Sequence, residues 1–325
     1  MSVVLTRSRA LNALRAYWSY ALSRVGSVHV AHAPLFVSVE PASVCQLRCP
    51  ACPVGLRDVE MSRSRDLERT MSLDVWHRAL AEIRDTAFVV QFYFQGEPLL
   101  NKDLPQMIRE AHEAGLYTIL STNAQAMTDT MAEALVNSGL DRIIISMDGL
   151  TDESYNAYRV GGSLEKTKAA LRYLRKSKIE NRESKILIEL QCLRLRTNEH
   201  EWTEFKRQYK ELGADRLVFK TAQLYNYANG HPLMPTNPKY SRYIQGEDGL
   251  YHRRKLRKGC WRVWSGVVIT TNGDVLPCCY DKNHAYAYGN IMHTPLKELF
   301  ANNKAMAFRQ TAFQQFPKIC QECWK

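Results

Sequence analysis

Three cysteines, Cys45, Cys49 and Cys52, stand at C-x3-C-x2-C, and five more, Cys260, Cys278, Cys279, Cys320 and Cys323, lie in the last quarter of the chain. Structural zinc takes four ligands as a rule, and no histidine or fourth cysteine stands near the first triplet. Thiolates suit iron–sulfur clusters as well. Three of them hold three irons of a cubane and leave the fourth iron open to a reactant. The later group supplies four thiolates, Cys260, one of the adjacent pair Cys278/Cys279, Cys320 and Cys323, the full set for a closed cubane; four-cysteine zinc is the other reading of that spacing. Neighbouring residues on a strand point to opposite faces, so both members of the pair cannot easily serve one cluster. Cys192 sits in an apolar run and reads as a small buried hydrophobe.

The elements that must hold these residues follow from periodicity. β-rich runs at 35–40, 88–94, 117–121, 142–146, 186–192 and 216–220 alternate with helical patterns at 73–84, 104–114, 128–138, 164–176 and 199–212. Strands separated by helices, several of them without polar alternation, imply a parallel sheet covered by helices. Six units are too few for an eight-stranded barrel, so the expected fold is α/β, a partial (β/α)6 TIM-type barrel with its chemistry at the carboxyl ends of the strands. Residues 221–258 are tyrosine- and proline-rich with weak periodicity, which suggests a linker or lid. A hairpin follows, with strands at 267–271 and 274–279 around Asn272-Gly273, then a helix at about 295–303. The expected domains are an N-terminal amphipathic helix (1–32), the barrel (33–220), the linker or lid (221–258) and a small α+β module (259–325).

With 44 Lys+Arg against 33 Asp+Glu the net charge is +11. The positive charge is scattered through helical segments, and the one dense run, at 252–258, is short, so nucleic acid is not an expected partner. The apolar fraction of 45% excludes a wholly disordered chain, and no apolar run approaches a membrane span. In residues 1–32, Leu11, Leu14, Trp18, Ala21 and Leu22 fall near helical spacing with arginines between them. A helix packed across the main domain is the favoured reading and membrane-surface contact the other; the arginines break any secretory signal.

Cys45-Gln-Leu-Arg-Cys49-Pro-Ala-Cys52 resembles the signature of the radical S-adenosylmethionine (radical SAM) superfamily, and further matches stand at successive strand ends. Gly96-Glu97-Pro98 resembles the motif that meets the methionine ammonium, for which Glu97 offers a charge-assisted bond. Ser121-Thr122-Asn123 and Ser146 resemble segments that contact the ribose and carboxylate, and Arg159 resembles an arginine that pairs with the carboxylate. Ala51 departs from the family, which usually has an aromatic residue there against the adenine. The later cysteines, with Gly273 and Gly289-Asn290-Ile291 between them, resemble a SPASM domain, in the shortened twitch form with one auxiliary [4Fe–4S] cluster, and the glycine spacing favours Cys278 as the ligand.

The resemblance implies a [4Fe–4S] cluster on Cys45, Cys49 and Cys52, SAM bound by Gly96, Glu97, Pro98, Ser121, Asn123, Ser146 and Arg159, and an auxiliary [4Fe–4S] cluster on Cys260, Cys278, Cys320 and Cys323. It also implies an oxidoreductase that cleaves SAM reductively and abstracts a substrate hydrogen, supplied with electrons by a flavodoxin or ferredoxin in the cytoplasm. The single auxiliary cluster and the short segment before the barrel incline the reading to a small-molecule substrate, with peptide or protein side-chain modification as the alternative. A non-catalytic iron–sulfur carrier or sensor would have no use for the strand-end motifs. Glu189, Gln191, Lys220 and Gln223 are placed where a pocket is expected, with no partner visible in the sequence for any of them.

Overall fold

Four helices of the barrel start where a short polar side chain takes up a backbone N–H that has no partner within the helix. Ser72, Thr128, Thr151 and Ser163 do this in a computed structural model that describes residues 4–56, 70–254, 260–314, 317–321 and 323. In chain order the first elements are α1 (Arg7–Ser23), β1 (Phe36–Val39), α2 (Leu73–Ile83), β2 (Val89–Phe92), α3 (Leu104–Glu113), β3 (Tyr117–Thr122) and α4 (Asp129–Asn137). Then come β4 (Arg142–Ser146), α5 (Asp152–Asn156), α6 (Leu164–Glu180), β5 (Leu187–Arg194), α7 (Trp202–Gln208) and β6 (Arg216–Thr221). All six strands fall on the expected runs. The helix expected at 199–212 is shorter, because the buried Asn198 side chain accepts from Leu195 N and donates to the Asp148 carbonyl, holding 196–201 in a 3-10 turn.

β1 to β6 are parallel neighbours in order, a partial barrel. One file of each strand, including Val37, Val39, Val90, Phe92, Leu120, Ile143, Ile145, Ile188 and Leu190, belongs to the apolar core beneath the helices. The alternate file, with Ser38, Gln91, Ser121, Ser146 and Gln191, faces the lumen. Glu189 lies on that inner file but is wholly buried: both its oxygens accept from Arg142 Nη2, at 2.7 and 2.6 Å, and it serves the barrel floor rather than a pocket. Lys220 is exposed and Cys192 lies in the core.

Beyond β6 come β7 (Tyr243–Gln245) and β8 (Tyr251–Arg253), a small antiparallel hairpin inside the expected linker. After α8 (Trp261–Ser265) come β9 (Gly266–Ile269), β10 (Asp274–Leu276) and β11 (Gly289–Asn290), then α9 (Leu296–Ala301), α10 (Asn303–Gln314) and α11 (Lys318–Gln321). β9 pairs in parallel with β1, so one nine-stranded sheet runs through the barrel and the cysteine-rich module. α10 goes beyond the sequence expectation; its signal is Asn302, whose side chain accepts from Ala305 N as a helix cap. The end of the basic run, at 255–258, lies outside the described residues.

α1 does pack across the domain, but through its polar face: Arg9, Asn12, Ala16, Ser19 and Ser23 are the buried positions. Arg9 donates to the carbonyls of Val4, Arg84, Ala114 and Gly115, and Asn12 to those of Ala33 and Thr86. His32, just after the helix, joins it to the cysteine-rich module through Ser19 Oγ at 3.3 Å and the Trp264 carbonyl at 2.7 Å. Burial, with Arg309 and His29 nearby, lowers the His32 imidazole to about 4, against the Trp264 carbonyl, which raises it. The folded state therefore binds fewer protons than the unfolded one below the ordinary histidine range. The stabilisation is complete above pH 6.5 and is lost as pH falls towards 4. At about pH 5.5 the expected loss is about 1 kcal/mol. A urea midpoint that falls between neutral and mildly acidic pH in the wild type, and less so in His32→Gln, checks it.

Candidate functional site

The loop after β1 carries Cys45, Cys49 and Cys52, and the loop after β2 holds it in place. Glu97 N donates to the Val44 carbonyl at 2.8 Å, and Asn101 Nδ2 donates to the Pro41 carbonyl at 2.9 Å. A Cβ on Gly96 would stand 2.1 Å from the Ala42 carbonyl oxygen, and one on Gly55 2.5 Å from the Cys49 backbone. Gly96 is therefore required by close approach of two loops. Gly96→Ala is expected to push the cysteine loop out, costing about 2–4 kcal/mol and part of the iron bound there; chemical denaturation and iron analysis check both.

The Glu97 carboxylate is buried. Its Oε1 accepts from the Thr122 hydroxyl at 2.5 Å and from Leu99 N at 3.1 Å, and Oε2 accepts from Asn123 N at 2.8 Å. Burial raises the carboxyl against these donors, which lower it. Both oxygens thus hold donors of the chain itself, so that Glu97 also sets the loop after β3. Pro98 opens the 3-10 turn that Glu97 caps. Asn123 then donates through Nδ2 to Cys45 Sγ at 3.3 Å, and Leu47 N donates to the same sulfur at 3.4 Å. Such bonds stabilise a ligating thiolate.

Arg159 donates through Nε to Asp148 Oδ2 at 2.6 Å, while Asp148 Oδ1 accepts from Leu193 N at 2.6 Å. Burial would lower the guanidinium, but Asp148 and Cys49 more than offset it and hold the proton more tightly. In turn burial raises the Cys49 thiol and Arg159 pulls it back. Cys45 is raised to about 11, chiefly by burial. Thiols held so high need a compensating positive charge to ionise, which bound iron supplies. Ser121 and Ser146 end neighbouring strands on the lumen file, and among the described residues neither hydroxyl has a hydrogen-bond partner. Over this site Leu224, Leu233, Met234 and Tyr243 pack in one apolar cluster with Leu47, Cys49, Ala51 and Tyr158. The segment between β6 and β8 is thus a wall of the first cysteine site.

The later cysteines converge as well. Cys260, Cys278, Cys279, Cys320 and Cys323 all line one cavity of about 470 Å³, together with Ser38 and Gln91 of the lumen file. The cavity has room for a cubane and its wall carries the donors for one. Burial raises Cys278 strongly, and its sulfur also feels Cys279, Cys320 and Cys260. Cys320 is raised to about 12 by burial and by Cys260 and Cys323. Cys279 instead accepts from Arg262 Nη1 at 3.5 Å and influences Tyr93 and Lys282.

Between the two sites stand groups that sequence reasoning missed. Lys282 feels both Cys52 and Cys279, although burial lowers its ammonium overall; Nζ donates to Tyr225 OH at 3.2 Å. Gln95 Nε2 donates to the Lys282 carbonyl at 2.8 Å, joining the loop after β10 to the loop after β2. Arg242 Nη1 donates to Tyr280 OH at 3.1 Å. Among the described residues, the hydrogen-bond partners of Lys282, Arg242 and Arg262 are phenols, the carbonyl and hydroxyl oxygens of Thr221 and a thiol, rather than carboxylates. This cationic gap suits a thiolate-bound cluster or an anionic group of a ligand. Tyr93 was legible as the next residue after Gln91 on the lumen file; Lys282, Arg242 and Arg262 had no signal short of the fold.

Residues 39–190 match the Radical SAM superfamily and residues 260–324 match SPASM, an iron–sulfur cluster-binding domain. A relative named PqqA peptide cyclase from Bradyrhizobium diazoefficiens is 31% identical over 75% of this chain, and the match spans 66% of the relative's length. One of the same name from Rhodopseudomonas palustris is 33% identical over 75% of this chain and 67% of its own. The structure of Streptococcus suis SuiB bound to precursor peptide SuiA superposes with a TM-score of 0.63 at 15% identity, covering 91% of this chain and 70% of that one. The fold is therefore the partial barrel with a C-terminal module that the sequence suggests.

Proposed function

Since this chain belongs to the radical SAM superfamily and carries its SPASM domain, we propose that it is an enzyme that cleaves SAM reductively and oxidises a peptide side chain. The observation that carries this reading is the pair of cysteine sites on either side of one gap, with Lys282 under the influence of both. Cys45, Cys49 and Cys52 would hold the SAM-binding cluster, and Cys260, Cys278, Cys320 and Cys323 the auxiliary one. When bound, the first cluster and SAM supply a radical able to abstract a hydrogen atom.

The chain's own residues bind and orient. Asn123 and Leu47 N fix the Cys45 sulfur, Arg159 and Asp148 brace the Cys49 side, and Ser121 and Ser146 offer hydroxyls at the strand ends. The apolar wall from Leu224 to Tyr243 keeps water from the first site. Lys282 and Arg242 would seat a negatively charged part of the substrate between the sites. The relatives' name, PqqA peptide cyclase, supports a peptide over the small molecule to which the sequence inclined. The net charge of +11 would favour docking of an acidic flavodoxin or ferredoxin.

Anaerobic reconstitution with dithionite and SAM tests the first half: deoxyadenosine is expected, and its absence from an iron-replete, reduced protein would refute radical initiation. Peptides encoded beside this gene test the second half. A peptide that loses two hydrogens by mass, with deoxyadenosine formed in step, supports the reading. Oxidation of a small alcohol, with no effect of any such peptide, returns the substrate to the small-molecule class.

A further inference from the structure

α1 presents to the outside the face that an amphipathic helix normally buries. Its polar side chains point inward, and Leu14, Tyr17 and Trp18 are 67%, 68% and 65% exposed. Leu11, Leu14 and Trp18 follow i, i+3, i+7 spacing and form one stripe, and Leu5 and Val25 are exposed just past its two ends. The orientation is firmly set, because Arg9 and Asn12 on the opposite face are bonded to carbonyls of the barrel. A shallow groove between Leu14, Tyr17 and Trp18 of the helix and His29 and Ala31 widens the patch. Among the described residues, nothing in the barrel or the cysteine sites uses this face.

The geometry points to this face as a docking surface for an anionic lipid bilayer, with α1 lying in the plane of the interface. Three observations select lipid as the occupant. Arg7 and Arg15 are exposed on the same face as the apolar stripe. No Asp or Glu occurs before Glu40, so nothing on the helix or its flanks repels phosphate headgroups. Tyr17 and Trp18 are the side chains that favour the boundary between headgroup and acyl chain. A second copy of the chain fits poorly, because pairing two such faces brings four arginines together with no acid from either helix. No helix of the described residues is long and apolar enough to cross a membrane, so the contact is peripheral. Two near-surface arginines at about fivefold each favour an anionic over a zwitterionic surface by about thirtyfold.

The test floats the full chain, reconstituted with iron, on vesicles of phosphatidylcholine alone and of three parts phosphatidylcholine to one part phosphatidylglycerol. Recovery with the anionic vesicles only, reduced by added salt, by Leu14→Glu with Trp18→Glu, and by Arg7→Gln with Arg15→Gln, is the expected result. The altered side chains are exposed, so circular dichroism and iron content should match the wild type and separate loss of docking from loss of fold. No flotation on anionic vesicles, equal flotation on both kinds, or a dimer that Trp18→Glu dissolves without flotation overturns the proposal.

Discussion

Cys49→Ala is expected to remove the iron of one site, leave that of the other, and reduce deoxyadenosine formation to the level of the metal-free chain. Cys49 is the most buried of the first three thiols and stands against the Arg159–Asp148 pair. Removing it leaves two thiolates, too few to hold a cubane with one open iron, while the cavity of the later cysteines lies across the gap and keeps its donors. About eight irons per wild-type chain should fall to about four. The folded state should survive, since alanine here removes a small side chain and leaves the loop's bonds through Val44, Arg48 and Cys52 in place. Iron analysis with deoxyadenosine assayed under dithionite reads both effects. Full iron content in the variant would mean that the triplet does not hold a cluster.

The second large effect separates two adjacent residues. Cys278→Ala should cost the auxiliary cluster, about four irons, whereas Cys279→Ala should keep it. Both thiols line the same cavity, but only Cys279 is bonded to Arg262 Nη1 and acts on Tyr93 and Lys282, whereas Cys278 feels Cys260 and Cys320 as well as its neighbour. If Cys279 takes no part in the cluster, its loss should alter substrate turnover while SAM cleavage without substrate continues. Iron counts, with deoxyadenosine and product measured under dithionite with and without substrate, distinguish the two variants. Iron lost from Cys279→Ala and retained in Cys278→Ala would reverse the assignment.

The strands were legible because one file of each is β-branched or large and apolar, and that pattern survives whatever the rest of the chain does. The cysteine triplet and the strand-end motifs were legible because parallel strands deliver their carboxyl ends to one side. The bonds of the Glu97 carboxylate within the chain were not, since Thr122 and Asn123 reach it only through strand pairing. The orientation of α1 was hidden for a similar reason. Periodicity reports that a helix has two faces, but the choice between them was made by the carbonyls of Arg84, Ala114 and Gly115, which lie far away in sequence. Lys282 and Arg242 lie in loops and Arg262 in α8, and their meeting is a property of the fold alone.

The pairing of β9 with β1 bears on how the protein comes to be made. During synthesis β1 gains its first partner, β2, once α2 between them has been made, but its other edge has no neighbour until β9, much later in the chain, leaves the ribosome. Until then the strand that leads into Cys45 is an open sheet edge, a template for wrong pairing. The loop that follows it then lacks a fixed base, so the seating of the first three thiols waits on the arrival of the last module. Metal loading of both sites is thereby tied to chain growth, with neither finished on a nascent chain that ends before β9.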